Sequence, residues 1–432
     1  MRIEMKYSRP AKDAGCPQDG APGRPDGDIL VLGAGVVGVA TAYALARRGY
    51  SVILVDREEG PGRGTSFANG AQLSYAYTDA LAQPALLRKL PAMVLGLDPA
   101  FRFRMGVDPG FLRWSLAFLR NCTDARFSAN TLAALRIGLE SRLALHALQE
   151  RHSLDFGHAM PGKMHLYRDP AAFARAAEVV SLKGDAGIEQ HLLSPAEAMG
   201  IEPALANAGP LAGVLWTPAD EVGDPHLFCR AMLELLRGSY GVRAEFGFSA
   251  SHLREDGDAV HVSDPSGQVI SARAAVICLG AGAPHFLARF GIRAPVRPMK
   301  GYSFTAPVGP RAPSVSLTDA SRKIVFCRLG DQMRVAGLAE LGNWSTGVDA
   351  NRLNALVDSA RAAMPDAADY DAAGTGWAGL RPMTPNSLPI IARARANLYL
   401  NIGHGMLGWT FAMGSAERTA ALIETGLRPS LS

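Results

Sequence analysis

Three glycines near the start of the chain are spaced for binding a dinucleotide. Gly33, Gly35 and Gly38 form a G-x-G-x-x-G pattern, and Asp56 follows 23 residues after the first of them. The first glycine permits a tight turn, the second lets a pyrophosphate approach the backbone, and the third lets a helix pack closely on a strand. An acid at this distance accepts hydrogen bonds from ribose hydroxyls and disfavours a 2′-phosphate, which argues against NADP. The pattern alone does not distinguish NAD from FAD.

The elements that must position these residues are predicted around them. Residues 29–32 are a short apolar run, which is typical of a buried parallel strand. Residues 36–48 predict a helix, and residues 51–55 predict a second buried strand that leads into Asp56. Residues 29–46 carry no charge and approach the length of a membrane span, but their three glycines favour a strand, a turn and a helix. The sequence therefore predicts a β-α-β start of doubly wound type, with the helix N-terminus facing the phosphates.

Composition and charge limit the class of protein. The chain has 432 residues, of which 48% are hydrophobic and 19% charged, and its formal net charge is +4. This composition indicates a globular protein with a large core and excludes a mainly disordered, collagen-like or coiled-coil chain. The small net charge gives no sign of nucleic-acid binding.

The cysteines give no sign of a metal site. Cys16, Cys122, Cys229, Cys278 and Cys327 stand alone, without a C-x-x-C pair. We therefore expect reduced, buried thiols in a cytoplasmic protein, and no metal.

The remaining pattern predicts a mixture of helices and strands. Helices are expected over residues 109–121, 128–152 and 225–237, and another begins at Ser194, which forms a capping box with Glu197. Strands are expected over 242–246, 259–263, 268–270, 274–279 and 398–402, and the last of these leads through the turn 403–405 into a helix over 407–425.

Three further segments carry a resemblance to a known family. They are Thr65-Ser66-Phe67-Ala68-Asn69-Gly70-Ala71, Gly379-Leu380-Arg381-Pro382-Met383-Thr384-Pro385 and Gly403-His404-Gly405-Met406-Leu407-Gly408-Trp409-Thr410. With them go the landmarks Asn121-Cys122, Gly223-Asp224, Pro298-Met299-Lys300-Gly301-Tyr302-Ser303 and Gly337. In this order they resemble the D-amino-acid oxidase family of FAD-dependent amine oxidoreductases, and most closely its bacterial D-amino-acid dehydrogenase branch of small-subunit type. The resemblance covers roughly residues 28–427 and indicates FAD rather than NAD.

Two segments depart from the family pattern. The usual Asn-Ala-Gly stands here as Asn69-Gly70-Ala71, and the usual Thr-Pro-Asp-Gly stands as Thr384-Pro385-Asn386-Ser387. Both lie near the expected flavin or its supporting turn.

The resemblance implies an α/β fold in which a Rossmann-like FAD-binding domain is interleaved with an α+β substrate domain on an antiparallel sheet. We expect the FAD-binding domain over residues 28–80, 195–290 and 376–427, and the substrate domain over 81–194 and 291–375. Residues 1–27 are rich in proline and glycine and are expected to form a disordered tail.

The resemblance also implies roles for individual residues. Arg381 is expected to clamp a substrate carboxylate with two parallel hydrogen bonds, and a structural ion pair is the alternative. Tyr77 and Tyr302 are expected to line the substrate pocket, with ordinary packing as the alternative. His404 either helps to stabilise the reduced flavin beside the helix N-terminus or only bonds its own turn. The expected FAD contacts are Gly33, Ala34, Gly35, Val36, Val37, Gly38, Asp56, Arg57, Thr65, Ser66, Asn69, Gly280, Gly403, His404, Gly405, Met406, Leu407 and Gly408.

The implied reaction is oxidation of a D-amino acid by hydride transfer from the α-carbon to flavin N5. Water then converts the imino acid to a 2-oxo acid and ammonia, and the electrons pass to a quinone-type acceptor. FAD is expected to be noncovalent, because no cysteine follows Cys327 and covalent relatives use one in the segment matching 379–386. Two alternatives stay open: oxidation of another amine or imino acid, such as sarcosine, glycine or a D-proline derivative, and an FAD-bearing subunit of a heteromeric complex.

A contact with a membrane surface is a further expectation. Residues 101–119 mix Phe, Trp, Leu and Arg, which suits a peripheral contact with the inner face of the plasma membrane. An internal helix is the alternative.

Overall fold

The computed structural model describes residues 25–94, 96, 100–103, 108–184 and 187–428. Most of the expected tail lies outside these residues, and its last residue, Gly27, begins the first strand. The strands are β1 (Gly27–Leu32), β2 (Val52–Asp56), β3 (Gln72–Leu73), β4 (Phe101–Phe103), β5 (Lys163–Tyr167), β6 (His191–Leu193), β7 (Gly213–Thr217), β8 (Glu221–Val222), β9 (Arg243–Phe246), β10 (His252–Asp256), β11 (Ala259–Ser263), β12 (Val269–Ile277), β13 (Arg297–Pro307), β14 (Ser316–Asp319), β15 (Ile324–Leu329), β16 (Gln332–Leu341), β17 (Trp377–Met383), β18 (Ile390–Arg395) and β19 (Leu398–Ile402). The helices are α1 (Val36–Ala46), α2 (Pro84–Val94), α3 (Pro109–Asn121), α4 (Asp124–His152), α5 (Pro170–Lys183), α6 (Pro195–Ile201), α7 (Pro225–Tyr240), α8 (Ala283–Ala288), α9 (Ala350–Ala363) and α10 (Gly408–Glu424).

The first sheet has a parallel centre. β1 lies between β2 and β12, while β9 continues the sheet beyond β2 and β19 beyond β12, all in parallel. Ile29 and Val31 belong to the core on the α1 side, whereas Leu30 and Leu32 belong to the core on the opposite face. Burial on both faces explains why residues 29–32 form an unbroken apolar run. The predicted β-α-β unit is thereby confirmed.

One predicted pair of strands is a single strand. Residues 268–270 and 274–279 were expected as two strands, but β12 runs without a break over Val269–Ile277. Its first half alternates buried residues with exposed or half-buried ones beside the antiparallel β11, and its second half is buried on both faces between β1 and β19. The expectation was wrong because the pattern changes from alternating to continuous within one strand.

The second sheet is mainly antiparallel. Its order is β17-β13-β16-β15-β14-β5-β7-β6, with β4 paired to β16. Within the described part of this second sheet, only the β14–β5 and β4–β16 pairs are parallel. Two sheets with helices confirm the expected α/β fold.

The sheets do not follow the expected domain boundaries everywhere. β7 lies within 195–290 and β17 within 376–427, yet both belong to the second sheet through their pairing with β5 and β13. The backbone pairing of these strands reaches across the boundaries that the resemblance implied. The division of the chain into two domains stays a prediction.

Helix caps account for the helix starts. α4 begins at Asp124, four residues before the predicted start, because the Thr123 side chain accepts a hydrogen bond from the Arg126 N–H. The capping box of Ser194 and Glu197 is confirmed at the start of α6. Among the described helices, none has both the length and the hydropathy to cross a membrane.

Candidate functional site

A cavity of about 1780 Å³ is lined by residues of both sheets. Most of the site residues expected from the sequence line it: Gly33, Gly35, Val36, Val37, Asp56, Arg57, Thr65, Ser66, Asn69, Tyr77, Gly280, Tyr302, Arg381, His404, Gly405, Met406, Leu407 and Gly408. The other three are not among the lining residues: Ala34 and Gly403 lie in the turns after β1 and β19, and Gly38 lies in the first turn of α1. The fold therefore collects distant segments of the chain around one space.

The glycine turn after β1 is shaped to admit a phosphate group. Gly33 has a backbone φ of +106°, a conformation that favours glycine. A Cβ on Gly38 would lie 1.6 Å from the Gly33 carbonyl oxygen, so only glycine lets α1 approach β1 this closely. Gly35 caps α1 without a side chain, and the first turn of the helix holds no acid. The positive end of α1 is therefore left for an anionic ligand, which fits the pyrophosphate of a dinucleotide.

Asp56 stabilises the glycine turn, in addition to its expected role in ribose binding. Its carboxylate accepts hydrogen bonds from the N–H groups of Ala34 at 2.6 Å and Glu58 at 3.0 Å, which ties the glycine turn to the end of β2. Burial raises the pKa of Asp56, and these two hydrogen bonds oppose that effect. A carboxylate has about four acceptor positions, so lone pairs are left for ribose hydroxyls in the cavity. Ribose binding by Asp56 stays a prediction.

Replacing Asp56 with alanine is expected to weaken FAD retention by roughly 1–3 kcal/mol, which is about 5- to 150-fold in Kd. The variant loses the ribose acceptor and leaves the Ala34 and Glu58 N–H groups without their partner. Flavin fluorescence titration of the apoprotein measures the change. Asp264→Ala is the matched control, because Asp264 also accepts backbone N–H groups in a turn but is not among the cavity-lining residues. Equal losses in both variants would contradict a role in binding.

The segment from Thr65 to Tyr77 crosses the face of the second sheet, strand by strand. The Thr65 hydroxyl donates to the Leu380 carbonyl on β17, and the Ser303 hydroxyl of β13 donates to the Ala68 carbonyl. Next, Gly70 packs on β15 and β16, since a Cβ there would lie 3.0 Å from a Val325 methyl and 3.7 Å from the Ala336 Cβ. The crossing ends on β14 and β5. There the Gln72 amide donates to the Ser316 hydroxyl, and the Lys163 ammonium donates to the Ser74 hydroxyl.

Arg381 lies at the β17 end of this crossing with little to neutralise it. Its guanidinium rests over Gly301, where a Cβ would lie 2.3 Å from a guanidinium nitrogen, and donates to the Leu338 carbonyl at 3.3 Å. Among the ion pairs of the described residues none includes Arg381, and burial alone lowers its pKa to about 10. This arrangement speaks against the structural ion pair and leaves the charge available to an anion.

The two tyrosines are placed differently. The Tyr302 hydroxyl donates to Glu340 at 3.0 Å, and the same carboxylate accepts from Arg352 and Asn343. Its hydroxyl is thus engaged within the protein, although the residue is also among those that line the cavity. Tyr77 lies at the other end of the crossing and stacks on His165 with ring centroids 3.7 Å apart. Strand alternation places the Tyr302 side chain on the face of β13 opposite to Gly301 and Arg381, within the core that contains Phe304, so its role toward a substrate stays a prediction. Tyr77 lies over β5.

His404 is anchored to the helix that follows it. Its Nε2 shares a hydrogen bond of 3.0 Å with the Ser415 hydroxyl of α10, and burial lowers its pKa to about 3. The imidazole is therefore neutral near pH 7. α10 begins without a side-chain cap at residues that line the cavity, which suits a negatively charged group there. A role of His404 toward flavin stays a prediction.

At both departures from the family pattern, one residue has a left-handed backbone conformation. Ala71 has a φ of +58° and Ser387 a φ of +63°, where the family has glycine. Such backbone costs a non-glycine residue roughly 1–2 kcal/mol. At Ser387 the hydroxyl offsets part of this, because it accepts the Leu81 N–H at 2.9 Å. At both positions this chain therefore holds, with another residue, a backbone conformation that glycine adopts more easily.

Sequence reasoning missed a buried polar group at the Tyr77 end of the cavity. Lys163 and His165 are 4% and 0% exposed and line the cavity beside Tyr167. The signal was available, because these three residues alternate with Met164 and Leu166 along β5. Alternation places the three polar side chains on one face of the strand and the two apolar ones on the other.

Comparison with known proteins agrees with this geometry. The chain matches the family model described as FAD dependent oxidoreductase (DAO) over residues 28–422. It is 41% identical over 407 residues to "D-amino acid dehydrogenase 2" of Ralstonia nicotianae, covering 91% of this chain and 96% of that protein. It is 40% identical to "D-amino acid dehydrogenase" of Paramagnetospirillum magneticum, covering 93% and 96%.

Solved structures support the fold. A glycine oxidase from Geobacillus kaustophilus superposes with a TM-score of 0.70 at 20% identity, covering 94% of this chain and 96% of that one. An L-proline dehydrogenase from P. horikoshii superposes with a TM-score of 0.72 at 18% identity, covering 93% and 94%. With the glycine turn, the uncapped helix ends and the family match in agreement, the chain belongs to the DAO family of FAD-dependent oxidoreductases.

Proposed function

We propose that this protein oxidises D-amino acids to 2-oxo acids and ammonia, as an FAD-dependent dehydrogenase. The observation that carries the proposal is the buried Arg381 guanidinium, which faces the cavity without a carboxylate partner among the described ion pairs. The names of the relatives supply the substrate class, since the proteins at 41% and 40% identity are called D-amino acid dehydrogenases.

The residues of this chain bind and orient in this proposal. The Arg381 guanidinium holds the substrate carboxylate with paired hydrogen bonds, while the glycine turn and Asp56 hold the dinucleotide. When bound, FAD supplies the two-electron oxidation of the carbon that bears the amine. No side chain is assigned as a general base, because a neutral substrate amine does not require one. Catalysis then rests on position and on electrostatics.

Turnover of the purified single chain with an artificial dye acceptor tests the proposal. We expect D-alanine to be oxidised, and L-alanine, sarcosine, glycine and D-proline to be slower. Faster turnover of sarcosine, glycine or D-proline would move the protein to another amine oxidation. No turnover of any of them by the FAD-loaded chain would favour a subunit of a heteromeric complex.

FAD is expected to be released by acid precipitation. Residues 379–386 contain no cysteine, so the attachment used by covalent relatives cannot form there. The yellow chromophore should appear in the supernatant and its absorbance should match that of free FAD. A chromophore that stays in the pellet would contradict noncovalent binding.

We infer a quinone-type acceptor from the dehydrogenase names of the relatives. Substrate-reduced enzyme should be reoxidised slowly by air and quickly by a soluble quinone analogue. Rapid formation of hydrogen peroxide would instead indicate an oxidase.

A peripheral membrane contact through α3 is supported by an exposed leucine stripe. Leu112, Leu116 and Leu119 are 56%, 55% and 41% exposed at helical spacing, and Leu119 also lines the cavity. Exposed arginines flank the stripe, as expected of a helix lying at an anionic surface. The alternative of an internal helix explains the buried face of α3, but it does not explain the exposed leucines on the other face.

Sedimentation with anionic lipid vesicles checks this contact. Leu112→Gln combined with Leu116→Gln is expected to reduce the vesicle-bound fraction severalfold, because about half of each apolar side chain would otherwise enter the interface. Leu143→Gln is the matched control, since Leu143 on α4 is 71% exposed but apart from the stripe. An unchanged bound fraction in the double variant would contradict the contact.

A further inference from the structure

The Tyr77 end of the cavity contains charges that the proposed reaction does not use. Lys163 and His165 project from one face of β5, and Tyr77 stacks on His165. The ammonium groups of Lys163 and Lys183 lie 5.3 Å and 5.7 Å from the centre of the Tyr77 ring. Two buried cations and an imidazole thus surround one ring.

His165 lacks any hydrogen-bond partner within the described residues. It is 0% exposed, it lines the cavity, and both ring nitrogens are buried without a partner. Burial and the two nearby ammonium groups hold its pKa well below the usual range, so the ring is neutral with one N–H to donate. A buried polar group without a hydrogen-bond partner destabilises the fold, unless a ligand supplies the missing partner.

Lys163 lacks a carboxylate in contact with it. Its ammonium donates to the Ser74 hydroxyl at 2.6 Å, and none of the ion pairs of the described residues includes it. Lys183 is different, because it donates to Asp79 and to the Ala76 carbonyl. Asp220 acts on Lys163 only at longer range; it accepts the Ala76 N–H and is not among the cavity-lining residues.

We propose that Lys163 and His165 form a second carboxylate-binding site in the cavity, separate from the Arg381 guanidinium. A small monoanion bound there would give Lys163 the ion pair it lacks and would give the His165 N–H an acceptor. Ser74 holds the ammonium in place from the crossing segment, and Asp79 is already occupied by Lys183. Asp79 and Asp220 balance the two ammonium charges of this cluster, but neither carboxylate forms an ion pair with Lys163 among those of the described residues, so its ammonium can still accept a direct carboxylate partner.

Sheet geometry separates the two sites. The Arg381 guanidinium lies against Gly301 of β13 and the Leu338 carbonyl of β16. β15 and β14 stand between β16 and β5, so the two sites are three strand spacings apart, on the order of 14 Å along the sheet. The two carboxylates of a D-glutamate cannot span that distance. A free 2-oxo acid is the ligand that this spacing favours, a choice that rests on the proposed function because it is the reaction's product.

Isothermal titration of the FAD-loaded protein with pyruvate tests the proposal. Wild type should bind two pyruvates, and Lys163→Met and Arg381→Met should each bind one. Loss of one partner of such a buried pair weakens binding roughly 30-fold or more. Lys163→Arg should keep the second site. Two pyruvates bound by Lys163→Met, or one bound by wild type and unchanged in Lys163→Met, would overturn the proposal.

The pH dependence distinguishes the sites independently. Burial lowers the pKa of Lys163 to about 8 and that of Arg381 to about 10. Pyruvate binding by Arg381→Met should therefore decline as the pH rises past about 8, whereas binding by Lys163→Met should persist to about 10. The other titratable groups that act on this site are Tyr77, Tyr167, Lys183, Cys327, Asp79 and Asp220. Identical profiles for the two variants would contradict two sites.

Two further controls keep the test decisive. His165→Phe preserves the stack on Tyr77 but removes the N–H, and it should weaken the second pyruvate even if Lys163→Met does not fold. A higher KM for D-glutamate but not for D-alanine in Lys163→Met would overturn the proposal, because one substrate would then reach both Arg381 and Lys163. Failure of the proposed function gives a different result: wild type would not oxidise D-alanine, but it would still bind pyruvate in a way that depends on Lys163.

Discussion

Gly38→Ala is expected to yield a colourless protein with a lowered melting temperature. The added Cβ would lie 1.6 Å from the Gly33 carbonyl oxygen and 2.8 Å from its carbonyl carbon. Both are backbone atoms, so α1 must move away from β1 as a unit. Overpacking of this kind costs about 3 kcal/mol or more, and the movement also displaces the helix end at which we expect the phosphates to bind.

Gly238→Ala is the matched control for this prediction. Gly238 also lies within a helix, α7, but a Cβ there would meet no atom within 4 Å. Because alanine is the better helix former, this variant should gain roughly 0.5–1 kcal/mol of unfolding free energy and keep its FAD. Thermal unfolding and the ratio of flavin to protein absorbance measure both variants. A yellow Gly38→Ala protein with an unchanged melting temperature would refute the close-approach argument.

The dinucleotide turn could be predicted from the sequence because its determinants are local. Gly33, Gly38 and Asp56 lie within one β-α-β unit, and backbone sterics and helix packing dictate their spacing. The hydrogen bonds from the Ala34 and Glu58 N–H groups to the Asp56 carboxylate are also local in the chain. The pattern of residue types nevertheless does not show that Asp56 has this second, structural role.

The far end of the cavity could not be predicted because it depends on strand order. β5 joins the second sheet beside β14, which follows it by about 150 residues in the chain, and this pairing brings His165 opposite Thr318. The crossing segment then delivers Tyr77 to His165. No periodicity in the sequence encodes which distant strands will be neighbours, although the alternation in β5 does predict that Lys163, His165 and Tyr167 share a face.

Arg381→Met is expected to lower kcat/KM for D-amino acids roughly 30-fold to several thousand-fold. The substitution leaves the substrate carboxylate unpaired in a partly desolvated cavity, and loss of one partner of such a pair costs about 2–5 kcal/mol. Arg381→Lys should recover only part of the rate, because an ammonium cannot make the two parallel hydrogen bonds of a guanidinium. Steady-state rates with a dye acceptor measure the series.

The same substitution should be nearly silent on substrates that lack the carboxylate. In wild type the guanidinium is held by Gly301 and the Leu338 carbonyl and contributes no ion pair among those of the described residues, so its removal breaks no charge pair of the fold. FAD content should stay normal. D-amino-acid amides should be poor substrates of wild type and should lose little more in Arg381→Met, because the interaction that the variant lacks is absent for an amide from the start. Equal losses on acids and amides would mean that Arg381 supports the junction of β17, β13 and β16 rather than the substrate.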